Sequence, residues 1–238
     1  MRMAEDIGFG NIKLYQDDDG FRYGIDAVIL ADFANSIKPS AKSIVDLGTG
    51  NGAIPFILSH KNKKCHITGI AVQEKAIELA NKSREDNGLE DRLTFINKDI
   101  LDIQDLYGSA DVVVSNPPYV AKGSGIINDK SGKFIARQET TAEFRDFAKA
   151  AARLLGDKGD FFIVHRPSRL TDIILSCAEF RLEPKTIRFV VPKKGKEPNI
   201  VLIHCRLGGG RELKYLPELC VYNEDGTYST EIETIYER

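Results

Sequence analysis

Ser43-Ile44-Val45-Asp46-Leu47-Gly48-Thr49-Gly50-Asn51-Gly52 is a short apolar run that ends in an acid and three alternating glycines. The apolar half reads as a buried strand. Glycine at every second position allows a sharp turn and a close approach of a ligand to the backbone. A helical pattern follows at 54–59. Strand, glycine turn and helix make the opening unit of an open α/β sheet, where ligands lie beyond the carboxyl ends of the strands. Outward from this unit the alternation continues. Strands are predicted at 66–72, 93–97, 111–115, 160–165, 186–191 and 199–205. Val112, Val113 and Val114 fill the fourth of the seven strands, as expected for a strand covered on both faces. Helices are predicted at 27–33, 73–87, 142–155 and 169–180. In 73–87, Ile77, Ala80 and Arg84 share a face, with Gly88 as the stop. In 142–155 the apolar stripe is Phe144, Phe147, Ala148, Ala151, Leu154 and Leu155. The expected fold is α/β, with a mostly parallel sheet and helices on both faces.

The 238 residues fit a single domain. Its expected parts are an N-terminal extension over 1–42, a core over 43–206 and a tail over 207–238. Gly208-Gly209-Gly210 reads as a flexible joint, and Asn223-Glu224-Asp225-Gly226 as a turn between short extended pieces. The link 120–141 is long, polar and weakly periodic, the kind of loop that is functional or disordered. No apolar run approaches bilayer length. Cys65, Cys177, Cys205 and Cys220 are far apart and form no Cys-x-x-Cys pair, so buried free thiols in a reducing cytoplasm are expected and no metal site is. The net charge of −2 conceals a gradient, because residues 120–215 hold 19 basic and 11 acidic residues. Such a segment can form a patch for a polyanion or remain a solvated surface.

Chemistry gathers at the predicted strand ends. Gly48-x-Gly50-x-Gly52 is neither a dinucleotide nor a phosphate-loop spacing. Asp46 would repel a pyrophosphate but suits a cationic amino group, which favours S-adenosyl-L-methionine as cofactor. At the third strand's end, Asp99 can accept from an adenine amino group while Ile100 packs on the ring. The second strand should end in an acid for ribose hydroxyls, and it has Ala71.

Ser115-Asn116-Pro117-Pro118-Tyr119 closes the valine strand. Pro117 and Pro118 remove two backbone donors and fix the chain. The Asn116 side-chain oxygen and the carbonyl of Asn116 or Pro117 can then face outward as acceptors. A planar exocyclic amine has two hydrogens to donate and a lone pair delocalised into its ring. Two acceptors drawing on those N–H bonds favour a tetrahedral nitrogen aimed at an electrophilic methyl group. Tyr119 offers a face for a base flipped from its stack. No general base is essential, because the ammonium product loses its proton easily. His165 reads as a structural or rim residue.

Phe21 to Phe33, the 46–52 turn, 115–119, Val164-His165-Arg166-Pro167 and Val221-Tyr222-Asn223-Glu224-Asp225-Gly226-x-Tyr228 together resemble the bacterial adenine-37 N6-methyltransferases of valine tRNA. The resemblance spans nearly the whole chain. It implies a Rossmann-like sheet of seven strands with the last antiparallel. It places Tyr23 and Asp26 over the methionine end of the cofactor, Asp46, Gly48, Gly50 and Asn51 along it, and Asp99 and Ile100 at its adenine. Asn116 would meet cofactor and target. Arg137, Arg166, Lys193, Lys194 and Lys196 become candidates for the tRNA backbone. Ala71 departs from the pattern, since relatives usually carry Glu there. Methylation of a glutamine amide or of adenine in DNA poses the same chemical problem. The short segment before the first core strand and the lack of a target-recognition domain argue against both. A non-catalytic binder of cofactor or RNA has only Ala71 in its favour.

Overall fold

The structure is a computed structural model that describes residues 4–16, 24–118 and 142–237. Its main sheet has nine strands. All seven predicted strands are in it: β3 (Ser43–Leu47), β4 (His66–Ala71), β5 (Leu93–Asn97), β6 (Ala110–Ser115), β7 (Leu155–His165), β8 (Leu182–Lys193) and β9 (Ile200–Leu207). A hairpin, β1 (Ala4–Asp6) and β2 (Lys13–Tyr15), precedes them, and β10 (Lys214–Tyr215) and β11 (Leu219–Tyr222) follow. The strand order is β10-β8-β9-β7-β6-β3-β4-β5, with β11 also beside β8. Only β9 runs against its neighbours in this sheet. The expected count of seven is exceeded because the tail adds β10 and β11 to the open edge of β8. Pairing that edge satisfies backbone groups that would otherwise lie open.

Helices α1 (Ile25–Ile37), α2 (Ala53–Lys61), α3 (Glu74–Asp86), α4 (Phe144–Leu154), α5 (Leu170–Glu179) and α6 (Thr230–Ile235) pack around the sheet. Two apolar clusters cover its two faces. Val112 and Val114 join the one containing α1 and α2, and Val113 joins the one containing α4 and α5. The alternation of a strand buried on both sides accounts for the run of valines. At the start of α4 the Glu143 amide donates to Asp146 Oδ2 at 2.9 Å, and Phe147, Ala148, Ala151 and Leu154 are buried. On α3 the buried face is Ile77, Ala80 and Ser83, so Ser83 takes the place expected for Arg84.

The two ends of the chain are bound to this core by specific contacts. Ser83 Oγ accepts the Tyr15 amide at 2.9 Å, and Asn87 exchanges hydrogen bonds with both backbone groups of Lys13 at 3.0 and 2.7 Å. Side chains of α3 thus bond β2 much as a neighbouring strand would. In the tail, the piece after the 223–226 turn is α6 and not an extended segment; Ser229 Oγ caps it by accepting the Ile232 amide. Lys61 Nζ, almost wholly buried, reaches Asp32 at 3.0 Å, Glu237 at 3.5 Å and the Ile235 carbonyl at 2.8 Å. The triglycine is tied as well, since the Gly208 amide donates to the Arg181 carbonyl at 2.8 Å. At the amino edge of the sheet Asp160 is fully buried among Lys38, His204 and Arg206, each 2.8–2.9 Å away. Burial opposes its ionisation, but hydrogen bonds from these three side chains hold its carboxyl well below the usual range. This network pins the end of α1 and leaves the carboxyl edge to the site.

Candidate active site

Four neighbouring strands end at one level. Leu47 pairs with Ser115 on one side and with Ile70 on the other, and Ala71 pairs with Asn97. Gly48, Asn116 and Ala71 therefore leave adjacent strand ends at spacings of about 4.8 Å. The glycine turn and the asparagine-proline element, 64 residues apart between Gly52 and Asn116, meet here. A buried hydrogen bond fastens them, because Ser115 Oγ donates to the Leu47 carbonyl at 2.8 Å. Asn116 and Pro118 are half-buried and Pro117 is buried.

The turn itself is held by Gly48 and Thr49 amides that both donate to the Ile70 carbonyl, at 2.9 and 3.0 Å. Gly48, Gly50 and Gly52 all have positive φ, at 77°, 55° and 87°. Gly52 then starts α2 with its backbone against a ring: a Cβ there would lie 2.8 Å from Phe95. The same ring explains Gly69 on β4, where a Cβ would fall 2.7 Å from Phe95 Cδ1 and 2.7 Å from Thr49 Oγ1. Phe95 is thus the floor under the turn. At Gly50, by contrast, a Cβ would point into open space.

Asp46 lies beneath this turn with no exposed surface, and neither carboxylate oxygen has a hydrogen-bond partner among the described residues. Burial pushes its carboxyl up to about 7; the nearby Thr49 hydroxyl draws it down a little without forming a bond of ordinary geometry. A buried carboxylate without a donor is costly unless a cation reaches it. The open volume beside Gly50 and this orphaned acid together fit the ammonium and sulfonium of S-adenosylmethionine and disfavour a phosphate.

The remaining residues fall around this centre. Asn51 Nδ2 donates to the Tyr15 carbonyl at 3.3 Å, which joins the turn to the N-terminal hairpin. Ala71 is 2% exposed, and its carbonyl accepts from Asn97 Nδ2 and the Lys98 amide. Asp99 is exposed, with Oδ1 accepting the Leu101 amide at 2.9 Å, and Ile100 is buried beside it. His165 ends β7, one strand from Asn116. Its Nδ1 accepts the Arg166 amide at 2.8 Å, and burial, with Arg169 and Arg166 nearby, lowers its pKa to about 4. Asp26, at the start of α1, lines an open groove with Arg166, Ser168, Glu197 and Asn199. Since β8 runs parallel to β7, the turn carrying Lys193, Lys194 and Lys196 lies on the same edge, together with Arg166. Tyr23, Tyr119 and Arg137, and the link 120–141, lie outside the described residues.

Ser115, Thr49, Gly69 and Phe95 serve the site without standing out in the sequence. A serine before Asn-Pro-Pro and a glycine inside a strand are the available signals, and only register shows what they touch.

Residues 38–200 match the family described as "Methyltransferase domain". The chain is 27% identical over 230 residues to the tRNA1(Val) (adenine(37)-N6)-methyltransferase of Aeromonas hydrophila, covering 95% of this chain and 94% of that one. It is 30% identical over 213 residues to the protein of the same name from Porphyromonas gingivalis, covering 86% and 82%. Among solved structures, a "predicted O-methyltransferase" from Agrobacterium tumefaciens superposes with a TM-score of 0.73 at 18% identity, covering 89% of this chain and 95% of that one. That likeness bears on the Rossmann-like fold alone. With an acid-and-glycine turn and an asparagine-proline strand end held side by side, and with this match over most of its length, the chain belongs to the methyltransferase-domain family, among the tRNA1(Val) (adenine(37)-N6)-methyltransferases.

Proposed function

We propose that this protein transfers a methyl group from S-adenosylmethionine to N6 of an adenine in tRNA, at adenosine 37 of tRNA1(Val). The observation that carries the chemistry is the Ser115–Leu47 hydrogen bond, which holds Asn116 beside the glycine turn. The substrate comes from the names of the full-length relatives.

The cofactor, when bound, supplies a methyl group already activated by a sulfonium. This chain's residues do the rest. Asp46 receives the cationic amino-acid end, and Gly48 and Gly50 leave room along it. Asp99 and Ile100 take the adenine by hydrogen bond and packing. Asn116 Oδ1 and a carbonyl of 116 or 117 accept the two N6 hydrogens, which localises the lone pair on nitrogen. Pro117 and Pro118 keep those acceptors fixed, so little reorganisation is needed on reaction. His165 is neutral near pH 7 and supplies no proton there. Arg166, Lys193, Lys194 and Lys196 meet the RNA backbone on the same edge. Asp26 approaches from α1 toward the methionine end, and Tyr23, Tyr119 and Arg137 complete the set.

Incubation with labelled S-adenosylmethionine and total tRNA, followed by nucleoside analysis, tests this. Label in N6-methyladenosine, lost in Asn116→Ala, is expected. Label in protein, or none, would overturn the reading.

A further inference from the structure

The tail forms a column of rings that ends at the basic edge of the sheet. Phe9 and Tyr236 are stacked at 5.7 Å and 19°, Tyr236 and Tyr228 at 5.6 Å and 18°, and Tyr228 and Tyr222 at 5.4 Å and 12°. Exposure rises along it, from Phe9 at 1% to Tyr236 at 8% and Tyr222 at 38%. The buried end anchors the N-terminal hairpin to α6. The open end has no such structural duty. Among the described residues, Tyr228 is the only ring against Tyr222, and no cation lies over it.

Tyr222 is also held still. It pairs with Lys193 of β8 and bridges to Tyr228 across the 223–227 turn. That turn is closed by the Asn223 amide on the Thr227 carbonyl at 2.9 Å and by Asp225 Oδ1, which accepts from the Thr227 amide and hydroxyl. Lys193 Nζ binds the Glu224 carbonyl at 2.9 Å. Next to it, Lys194 and Lys196 are exposed, and their ammonium groups engage no partner among the described residues. By register Asn116 is level with Arg188 of β8, and Tyr222 lies four strands across and five residues further out, roughly 25 Å away.

From a preorganised aromatic column whose last ring is exposed, flanked by unpaired lysines on the edge that carries Asn116, we infer that Tyr222 is a stacking platform for an unpaired RNA base. The base is one near the methylated adenosine, and the lysines take its phosphates. This rests on the functional reading above and adds a binding subsite to it. Stacking needs a planar face and tolerates any base.

The test is binding of tRNA by fluorescence anisotropy, with S-adenosylmethionine binding by calorimetry as a check on folding. Tyr222→Ala is expected to weaken tRNA binding about tenfold, with an unchanged slope against salt. Tyr222→Phe keeps the face and should stay within about twofold of wild type, whereas Tyr222→Leu, apolar but not planar, should resemble the alanine variant. Removing Lys194 and Lys196 together should lower the salt slope by about two. Wild-type affinity in both Tyr222→Ala and Tyr222→Leu would overturn the inference, as would a wild-type protein that binds no RNA. Binding that depends on Tyr222 without methyl transfer would remove the functional reading and leave this one standing.

Discussion

Asp46→Asn isolates the ionisation of one buried carboxyl. An unfolded aspartate titrates near 3.9, and in the folded protein burial raises Asp46 to about 7. A carboxyl raised on folding binds more protons in the native state than in the unfolded chain between those values. Its stability contribution is therefore intact below about pH 4 and lost as pH rises toward 7, with no further loss above. Working the two titrations through, the penalty is roughly 1.5 kcal/mol at pH 5 and roughly 4 kcal/mol at pH 8. The asparagine side chain of the variant does not titrate, and whatever its amide costs in the same place is nearly constant with pH. The difference in stability between Asp46→Asn and wild type should thus shift in favour of the variant by about 2–3 kcal/mol from pH 5 to pH 8. In a protein of this size that is a shift of about 5–10 °C in the difference between their Tm values. Thermal melts of both proteins without cofactor, across that range, provide the measurement. A constant difference would mean that Asp46 is ionised at no cost and has no unmet need for a cation. The same logic extends to binding. A bound ammonium favours the ionised acid, so S-adenosylmethionine affinity should fall about tenfold from pH 8 to pH 6, and Asp46→Asn should abolish that dependence.

Three other substitutions probe separate parts of the edge. Ala71→Glu restores the acid that the second core strand lacks and should tighten S-adenosylmethionine about tenfold by calorimetry; an unchanged Kd would mean that the ribose is held elsewhere. Ser115→Ala removes the donor to the Leu47 carbonyl and frees Asn116 to shift, so kcat should fall at least about tenfold while cofactor Kd stays near wild type. Ser83→Ala unfastens β2 from α3, and faster hydrogen exchange at 13–15 is expected, with a loss of about 1 kcal/mol in stability; unchanged exchange would show that the Ser83 bond does not hold the hairpin.

Legible in the sequence is whatever depends on local periodicity and on chemistry confined to a few consecutive residues. The valines of β6 announce a strand covered on both faces, and the turn after Asp46 announces a ligand at a strand end. Contacts set by register are out of reach. Ser115 looks like an ordinary strand residue until Leu47 is placed opposite it, and Gly69 until Phe95 lies across it. The N-terminal hairpin does not show in the sequence because its strands have three residues each, too few for a period to appear. It is held by Ile7, Phe9, Ile12 and Leu14 in the core and fastened by Ser83 and Asn87, some 70 residues away. In the tail, α6 is hidden for a similar reason: with six residues it is held by the Ser229 cap and by Ile232 and Ile235 in the core, not by its own propensity.

The division between what the family match covers and what it omits has a physical counterpart in the molecule. Residues 38–200 contain the glycine turn, Asp46, Asp99 and Asn116, most of the residues we propose to hold a methyl donor and a planar nitrogen. The segments outside it are the hairpin, all of α1, nearly all of β9 and the tail, and they are not loose appendages. Asn51 joins the hairpin to the cofactor turn, Lys61 joins the tail to α1 and α2, and stacked rings join the tail to the hairpin. The two ends thus form one continuous structure that reaches from the glycine turn to the basic edge at β8. A planar nitrogen in a protein, in DNA or in RNA makes the same demand on Asn116, so that strand end alone cannot choose among them. The choice must lie with surfaces that meet the rest of the substrate, and the tail carries such a surface at Tyr222 beside Lys193. Exchanging the tail for that of a relative acting on another substrate should therefore alter which macromolecule is bound, measured by anisotropy with tRNA, while leaving cofactor affinity in place.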